Sequence, residues 1–330
     1  MGSTKKKKRT TKKEEGSTWL SEHPWLGILI LLFLYIIFLI VPTFIYRIFV
    51  NPAFFVSHLY LYYIIDFFGV AFLFLVIVPL VLGIPNKRGY VDHFQSIRVT
   101  NFKPPYRTIV LGLIAAIVTL VCMLIATLLA ALVGGDMIFE PSLMIDPLYP
   151  ATIYSTLKPG IWEEVAFRGI ILVLLLRKYS KKTSIIVNGI LFGTFHVVNI
   201  LVGILNAWIF EIEPEPSLNG FLIIEGFRVL YTTFFGIFLA YLFIKTNSLI
   251  PCIITHYLVD AFASQVTIMT YDSEMVIWIH LIFMTVIGFG MLPMKLNTLI
   301  VRASCYAWPQ PYDEQVKFFD TYFARKKHKS

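Results

Sequence analysis

Glu163 and Glu164 stand side by side in Trp162-Glu163-Glu164-Val165-Ala166-Phe167-Arg168-Gly169, directly ahead of the apolar run Ile170 to Leu176. A charge in hydrocarbon costs roughly 2.5 to 3.5 kcal/mol on insertion scales, so three of them in one apolar segment need a purpose and a partner. On a helix Glu164 and Arg168 are i and i+4 and able to pair, while Glu163 is turned about 100° away and left free. Two further stretches offer groups it could meet. Phe192, His196 and Asn199 share a helical face in one, and His256 and Asp260 are i and i+4 in the other. Buried ionisable groups in membranes face a bundle interior and find one another. Glu163, His196, His256 and Asp260 together are suited to three tasks. They could hold a metal such as zinc, move a proton, or activate water for hydrolysis with a carboxylate base and histidine support. A dry pocket favours the last, because a carboxylate withdrawn from bulk water is a stronger base, while pairing with Arg168 keeps Glu164 ionised.

The elements that must carry these groups are membrane spans. The chain of 330 residues is 57% hydrophobic and 15% charged, with a mean hydropathy of +0.74; soluble domains average about 25% charged residues. The expected fold is an all-α integral membrane bundle of about eight transmembrane helices. The spans are expected near 24–46, 58–84, 106–133, 150–176, 183–205, 218–244, 249–268 and 275–294. Loop charges orient them. Lys87, Arg88, Arg98, Lys103 and Arg107, then Arg177, Lys178, Lys181 and Lys182, then Lys245 fall on one side. Asp136, Glu140, Asp146, Glu211, Glu213, Glu215, Asp272 and Glu274 fall on the other, with Arg47 and Lys158 as exceptions. The positive-inside rule then puts both termini in the cytoplasm. Five regions follow: a basic tail over 1–23, three spans with an inner-face loop over 24–147, the charge-bearing helices over 148–268, a last span over 269–302 and a second basic tail over 303–330. Lys5 to Arg9, and Arg325 with its neighbours, carry much of the net charge of +8 and are read as facing anionic lipid rather than nucleic acid. Cys122, Cys252 and Cys305 form no metal or disulfide pattern. Asp66 is read as a satisfied packing acid, and Glu225 with Arg228 as an i, i+3 pair that either serves itself or lines the same cavity.

The order Glu163-Glu164-x-x-x-Arg168, then Phe192-x-x-x-His196, then His256 after Thr246 to Thr255 resembles the CPBP family of intramembrane proteases, which includes the type II CAAX prenyl endopeptidases. Phe234 to Leu242 is similar to the family's pattern ahead of its third motif, and the likeness spans roughly 148–268. The resemblance implies Glu163 as general base on water, His196 as its assistant and His256 as the donor to the developing oxyanion. Glu164 and Arg168 would be structural or substrate-orienting, with Asn199 and Asp260 in support. The substrate it implies is a CAAX-type prenylated protein or another membrane-associated peptide. The family carries Asn four residues after this histidine, where this chain has Asp260. An ionised Asp cannot donate to an oxyanion, so it must be protonated, orient His256 or ligate a metal. The expectation is a reaction without a cofactor. If zinc takes part, Glu163, His196, His256 and Asp260 would be its ligands.

Two readings from other classes stand beside this one. A transporter could use Glu163, His196 and Asp260 as a proton or ion path, although no spans are interrupted by Gly and Pro in matched halves. A non-catalytic scaffold or immunity protein of the same fold would account for Asp260. No His-Glu-x-x-His zinc motif is present, and Asp136 and Asp272 are read as ordinary loop acids.

Overall fold

The computed structural model describes residues 23–49, 59–81, 98, 105–137, 146–176, 178–210, 218–266, 269–271 and 274–307. Both basic tails, almost all of the inner-face loop, and Glu140, Glu211, Glu213, Glu215 and Asp272 lie outside the described residues. Helix α1 is Pro24–Phe49. Helix α2, Leu59–Phe72, runs on through a π-helical turn Leu73–Ile77 into Val78–Val81. Helix α3 is Pro105–Gly134 and leads straight into strand β1, Gly135–Met137. Helix α4, Pro150–Glu164, widens into a π-helical segment Val165–Ile171 and ends as Leu172–Leu176. Helices α5 (Lys181–Phe195) and α6 (Val197–Phe210) are separated only by His196. Helices α7 (Leu218–Thr246) and α8 (Ile250–Val266) form a hairpin. Strand β2, Met269–Tyr271, pairs antiparallel with β1, Asp136 opposite Thr270. Helix α9, Glu274–Phe283, passes through a π-helical turn Met284–Gly288 to α10, Met291–Ala307.

Among the described residues, six helical segments are long and apolar enough to cross a bilayer, beginning at Pro24, Tyr63, Tyr106, Lys181, Leu218 and Met275. The expected count of eight is not reached by this measure, and the two spans missing from it are the fourth and the seventh. The reason is chemical. The first half of α4 carries Thr152, Tyr154, Ser155, Thr156 and Lys158, which dilute its hydropathy. Helix α8 is 17 residues long and includes Thr255, His256 and Asp260. Both are sheltered by the others. Helix α3 packs along α8, α8 along α4, and α5 along α7, while the outer helices turn Leu29 and Phe33 of α1, or Ile64, Phe68 and Phe72 of α2, outward. Those side chains, one helical turn apart, form lipid-facing stripes.

The bundle has two chemically distinct ends. At one, the α4–α5 link carries Lys178, Lys181 and Lys182, the α7–α8 link follows Lys245, and α3 begins beside Arg107. Trp25 at the start of α1 donates to the Tyr179 hydroxyl there at 2.7 Å. Ser180 caps α5 by accepting from the Thr183 N–H at 3.2 Å, and Asn247 closes α7 in the left-handed region, φ 54°. The opposite end holds the β1–β2 ribbon with Asp136, and Asp146 before α4. These are called the basic end and the ribbon end.

Candidate active site

Close approach of α5 to α7 sets the geometry. Gly189 and Gly193 lie one turn apart on α5, and a Cβ on either would collide with Ile237, Thr233 or the Val229 carbonyl of α7. Small residues in this spacing let two membrane helices come into backbone contact. Gly236 answers from α7, where a Cβ would meet Phe192 at 2.9 Å. The result holds Phe192 over Arg168, whose guanidinium carbon is 4.2 Å from the ring centroid, a cation–π contact in a dry setting.

Arg168 and Glu164 are both fully buried and pair at 2.8 Å, Nη1 to Oε1, as their i, i+4 spacing predicts. Arg168 Nη2 also donates to the Gly236 carbonyl at 3.4 Å. The π-helical segment Val165–Ile171 begins directly after Glu164, and such segments are frequent at functional sites. Asn188 of α5 donates to the Phe167 carbonyl within it at 2.7 Å. The same Glu164 Oε1 lies 2.8 Å from His256 Nδ1. A carboxylate oxygen only accepts, so Nδ1 carries a proton and the ring is fixed with Nε2 pointing away from Glu164. Glu164 therefore serves two partners on two helices, a connection that i, i+4 reasoning within one helix has no means of finding.

Nε2 of His256 faces two more acids, Asp260 Oδ2 at 3.3 Å and Glu163 Oε2 at 3.9 Å. Glu163 Oε2, within ion-pair reach of His256, accepts no hydrogen bond, and the Glu163 side chain is 14% exposed. Phe192 and Phe235 stand edge-on to the His256 ring, each with centroids 5.8 Å away. His196 occupies the break between α5 and α6. Its Nδ1 lies 2.9 Å from the Phe192 carbonyl, which only accepts, so Nδ1 donates and the Nε2 lone pair remains for another partner. The break corrects the uninterrupted helical face expected for Phe192, His196 and Asn199, because the chain tightens where the His196 N–H bonds the Gly193 carbonyl at 3.0 Å. All three residues nonetheless line one cavity.

That cavity has a volume of about 840 Å3, and Glu163, His196, His256 and Asp260 all border it. Its wall contains groups that the motif-based reading set aside. Asp66 of α2 accepts from the Tyr154 hydroxyl and the Lys158 ammonium of α4. Lys158, out of place by loop-charge counting, has its counter-ion there. Arg228 of α7 pairs with Glu225 at 3.2 Å, and Glu225 also takes a hydrogen bond from Asn199. Tyr231 joins Arg228 through its hydroxyl. Glu225 and Arg228 therefore serve each other, and of the second expectation, that they line the same cavity, the Arg228 half is met. The signal for this wall was present as acids and bases in spans, but which helices adjoin is a property of packing.

Among the described residues, no group of three or more His, Cys, Asp and Glu side chains is arranged to hold a metal ion. The set Glu163, His196, His256 and Asp260 shares a cavity without forming a ligand cage for zinc.

Residues 146–262 match the family model described as type II CAAX prenyl endopeptidase Rce1-like. The matched segment runs from just before α4 to near the end of α8, and holds every acid, histidine and arginine of the motifs described above. Helices α1 to α3, α9 and α10 lie outside it. No curated protein and no solved structure matches the chain.

Proposed function

We propose that this chain, an integral multi-pass membrane protein whose α4 to α8 form an Rce1-like domain of the CAAX protease family, hydrolyses a peptide bond with Glu163 as the base. A water between Glu163 and His196 gives one proton to the Glu163 carboxylate as its oxygen attacks the scissile carbonyl carbon. The His196 Nε2 lone pair accepts the water's other hydrogen bond and orients it. His256 faces carboxylate oxygens with both ring nitrogens and so carries a proton on each; it donates from Nε2 to the oxygen on which negative charge develops, displacing Asp260 from that nitrogen. Collapse of the tetrahedral intermediate breaks the C–N bond, and the proton held by Glu163 passes to the leaving amine. Water in, acid and amine out, closes the balance without a metal.

The observation that carries this reading is the contrast between neighbours. Glu164 is fully buried and bonded to both Arg168 and His256, whereas Glu163 reaches the cavity with Oε2 unpartnered beside His256. A general base must be close to its proton and uncommitted elsewhere. Asn199 and Asp260 act in support, one holding the Glu225–Arg228 wall and the other steadying His256.

The experiment is hydrolysis of a panel of unmodified and farnesylated fluorogenic peptides by the purified protein in liposomes. The wild type is expected to cleave at least one member, Glu163→Gln none, and a strong chelator to leave the rate unchanged. Cleavage by Glu163→Gln at the wild-type rate would remove the mechanism, and loss of activity on chelation would reinstate the metal.

A further inference from the structure

Hydrolysis at Glu163 leaves one cation of the cavity wall without a task. Among the described residues, lysine and arginine contribute two side chains to that wall, Lys158 and Arg228. They are committed to different degrees. The Lys158 ammonium donates to Asp66, and its side chain is 16% exposed, whereas that of Arg228 is 39% exposed.

The Arg228 guanidinium is braced along its own helix. Glu225, Arg228 and Tyr231 recur at every third position of α7 and so share one face. Glu225 pairs with the guanidinium at 3.2 Å, and the Tyr231 hydroxyl is hydrogen-bonded to it. Both braces are themselves held. Glu225 is buried and takes a hydrogen bond from Asn199 of α6, and the Tyr231 ring packs against Phe289 at the turn into α10, with centroids 5.1 Å apart. A guanidinium carries more N–H donors than these two partners take. No Arg228 nitrogen is among the buried atoms left without a partner, so the spare donors face the cavity.

The location ties this cation to the scissile bond. Asn199 follows His196 by three residues, so the Arg228 wall begins about one helical turn, or 5 Å, from the histidine that orients water. The charge of Arg228 acts on both His196 and Asp260.

We infer that Arg228 is a specificity residue whose spare donors take a carboxylate of the substrate, an assignment that rests on the peptidase reading and narrows it to peptides carrying such a group. A carboxylate matches the planar fork with two parallel N–H···O bonds. In a peptide it is either the C-terminal group or an acidic side chain. An extended chain advances about 3.3 Å per residue, so the carboxylate belongs within about three residues of the bond that is cleaved. Lys158, held by Asp66, does not compete for it.

The test uses the full chain in proteoliposomes, with each peptide of the panel made in three forms: a C-terminal acid, a C-terminal amide, and the amide with glutamate in place of one of its last three residues. The wild type is expected to cleave a carboxylate form with kcat/KM about tenfold or more above the plain amide. Whichever carboxylate form is preferred identifies the source of the group. Arg228→Gln should erase that ratio through KM, and Arg228→Lys should restore part of it, as a point charge without the fork. No preference in the wild type, or a ratio that survives Arg228→Gln, overturns the assignment. Binding of the same forms to the Glu163→Gln chain, read by fluorescence anisotropy, separates this failure from that of the peptidase. With no form cleaved, tighter binding of a carboxylate form that Arg228→Gln removes supports the site and counts against the peptidase; equal binding of the three forms, or none, overturns the site.

Discussion

The two halves of this bundle are built from the same helices and spend their polar residues differently. In the ribbon half, Asp66, Lys158, Glu163, His196, Arg228 and Asp260 all border one cavity of about 840 Å3. In the basic half, Phe167 and Ile171 of α4 and Leu239 and Phe243 of α7 belong to one apolar core, none of them exposed. Arg168, Glu164 and His256 lie on the boundary: Arg168 and Glu164 are sealed, while His256 presents one nitrogen to each side. The difference teaches that a charge here has one of two jobs. Charges in the ribbon half border the cavity, some of them paired across its wall, and charges at the boundary hold that half's geometry against the packed half.

The largest effect expected from this division is on turnover. Glu163→Gln removes the base and leaves the packing alone, so activity should fall by about 10²- to 10⁴-fold while the detergent melting curve stays unchanged. Glu163→Gln with wild-type turnover would erase the distinction between the two glutamates. Arg168→Ala should act on stability. It leaves the Glu164 carboxylate buried without its cation, and removing one partner of a buried pair costs about 3 to 5 kcal/mol. Glu164→Gln/Arg168→Met should recover part of that loss in the same melt, yet remain inactive because His256 has lost its anchor. Recovery of both stability and activity would show that the boundary pair does nothing for the site.

Packing comes next. Gly193→Ala drives a methyl into Thr233 and the Val229 carbonyl, and overpacking of this sort typically costs about 1 to 3 kcal/mol. Gly226→Ala and Gly69→Ala meet nothing within 4 Å and should melt like the wild type. Equal behaviour of all three would mean that α5 and α7 are not in backbone contact.

Much of this was legible in the sequence, for identifiable reasons. Pairing of Glu164 with Arg168 follows from helical spacing alone, and so does the turning of Glu163 away from that pair, although its approach to His256 does not. The all-α membrane architecture follows from composition, although α4 and α8 are too polar or too short to qualify as spans alone. The illegible part depends on which helices touch. The bond from Glu164 to His256 spans 92 residues, and that from Lys158 to Asp66 the same separation. No local pattern encodes either. The break at His196 was also hidden, because Phe192-Gly193-Thr194-Phe195-His196 contains no proline to announce it.

The smallest effect on stability is expected at Arg228, and it tests whether the ribbon half is wet. Arg228 and Glu225 are i, i+3 on α7 and pair at 3.2 Å, as intimate in sequence as Arg168 and Glu164, but the Arg228 side chain is 39% exposed. If that exposure is to water in the cavity, the pair is screened, and its coupling should be about 0 to 1 kcal/mol. A double-mutant cycle of Arg228→Gln and Glu225→Gln, read from melting in detergent, measures it directly. A coupling near that of the Arg168 pair would mean that the cavity excludes water. Hydrolysis needs water at Glu163, in the same chamber, so a strong Arg228 pair would count against the peptidase as well as against the division of the bundle into two halves.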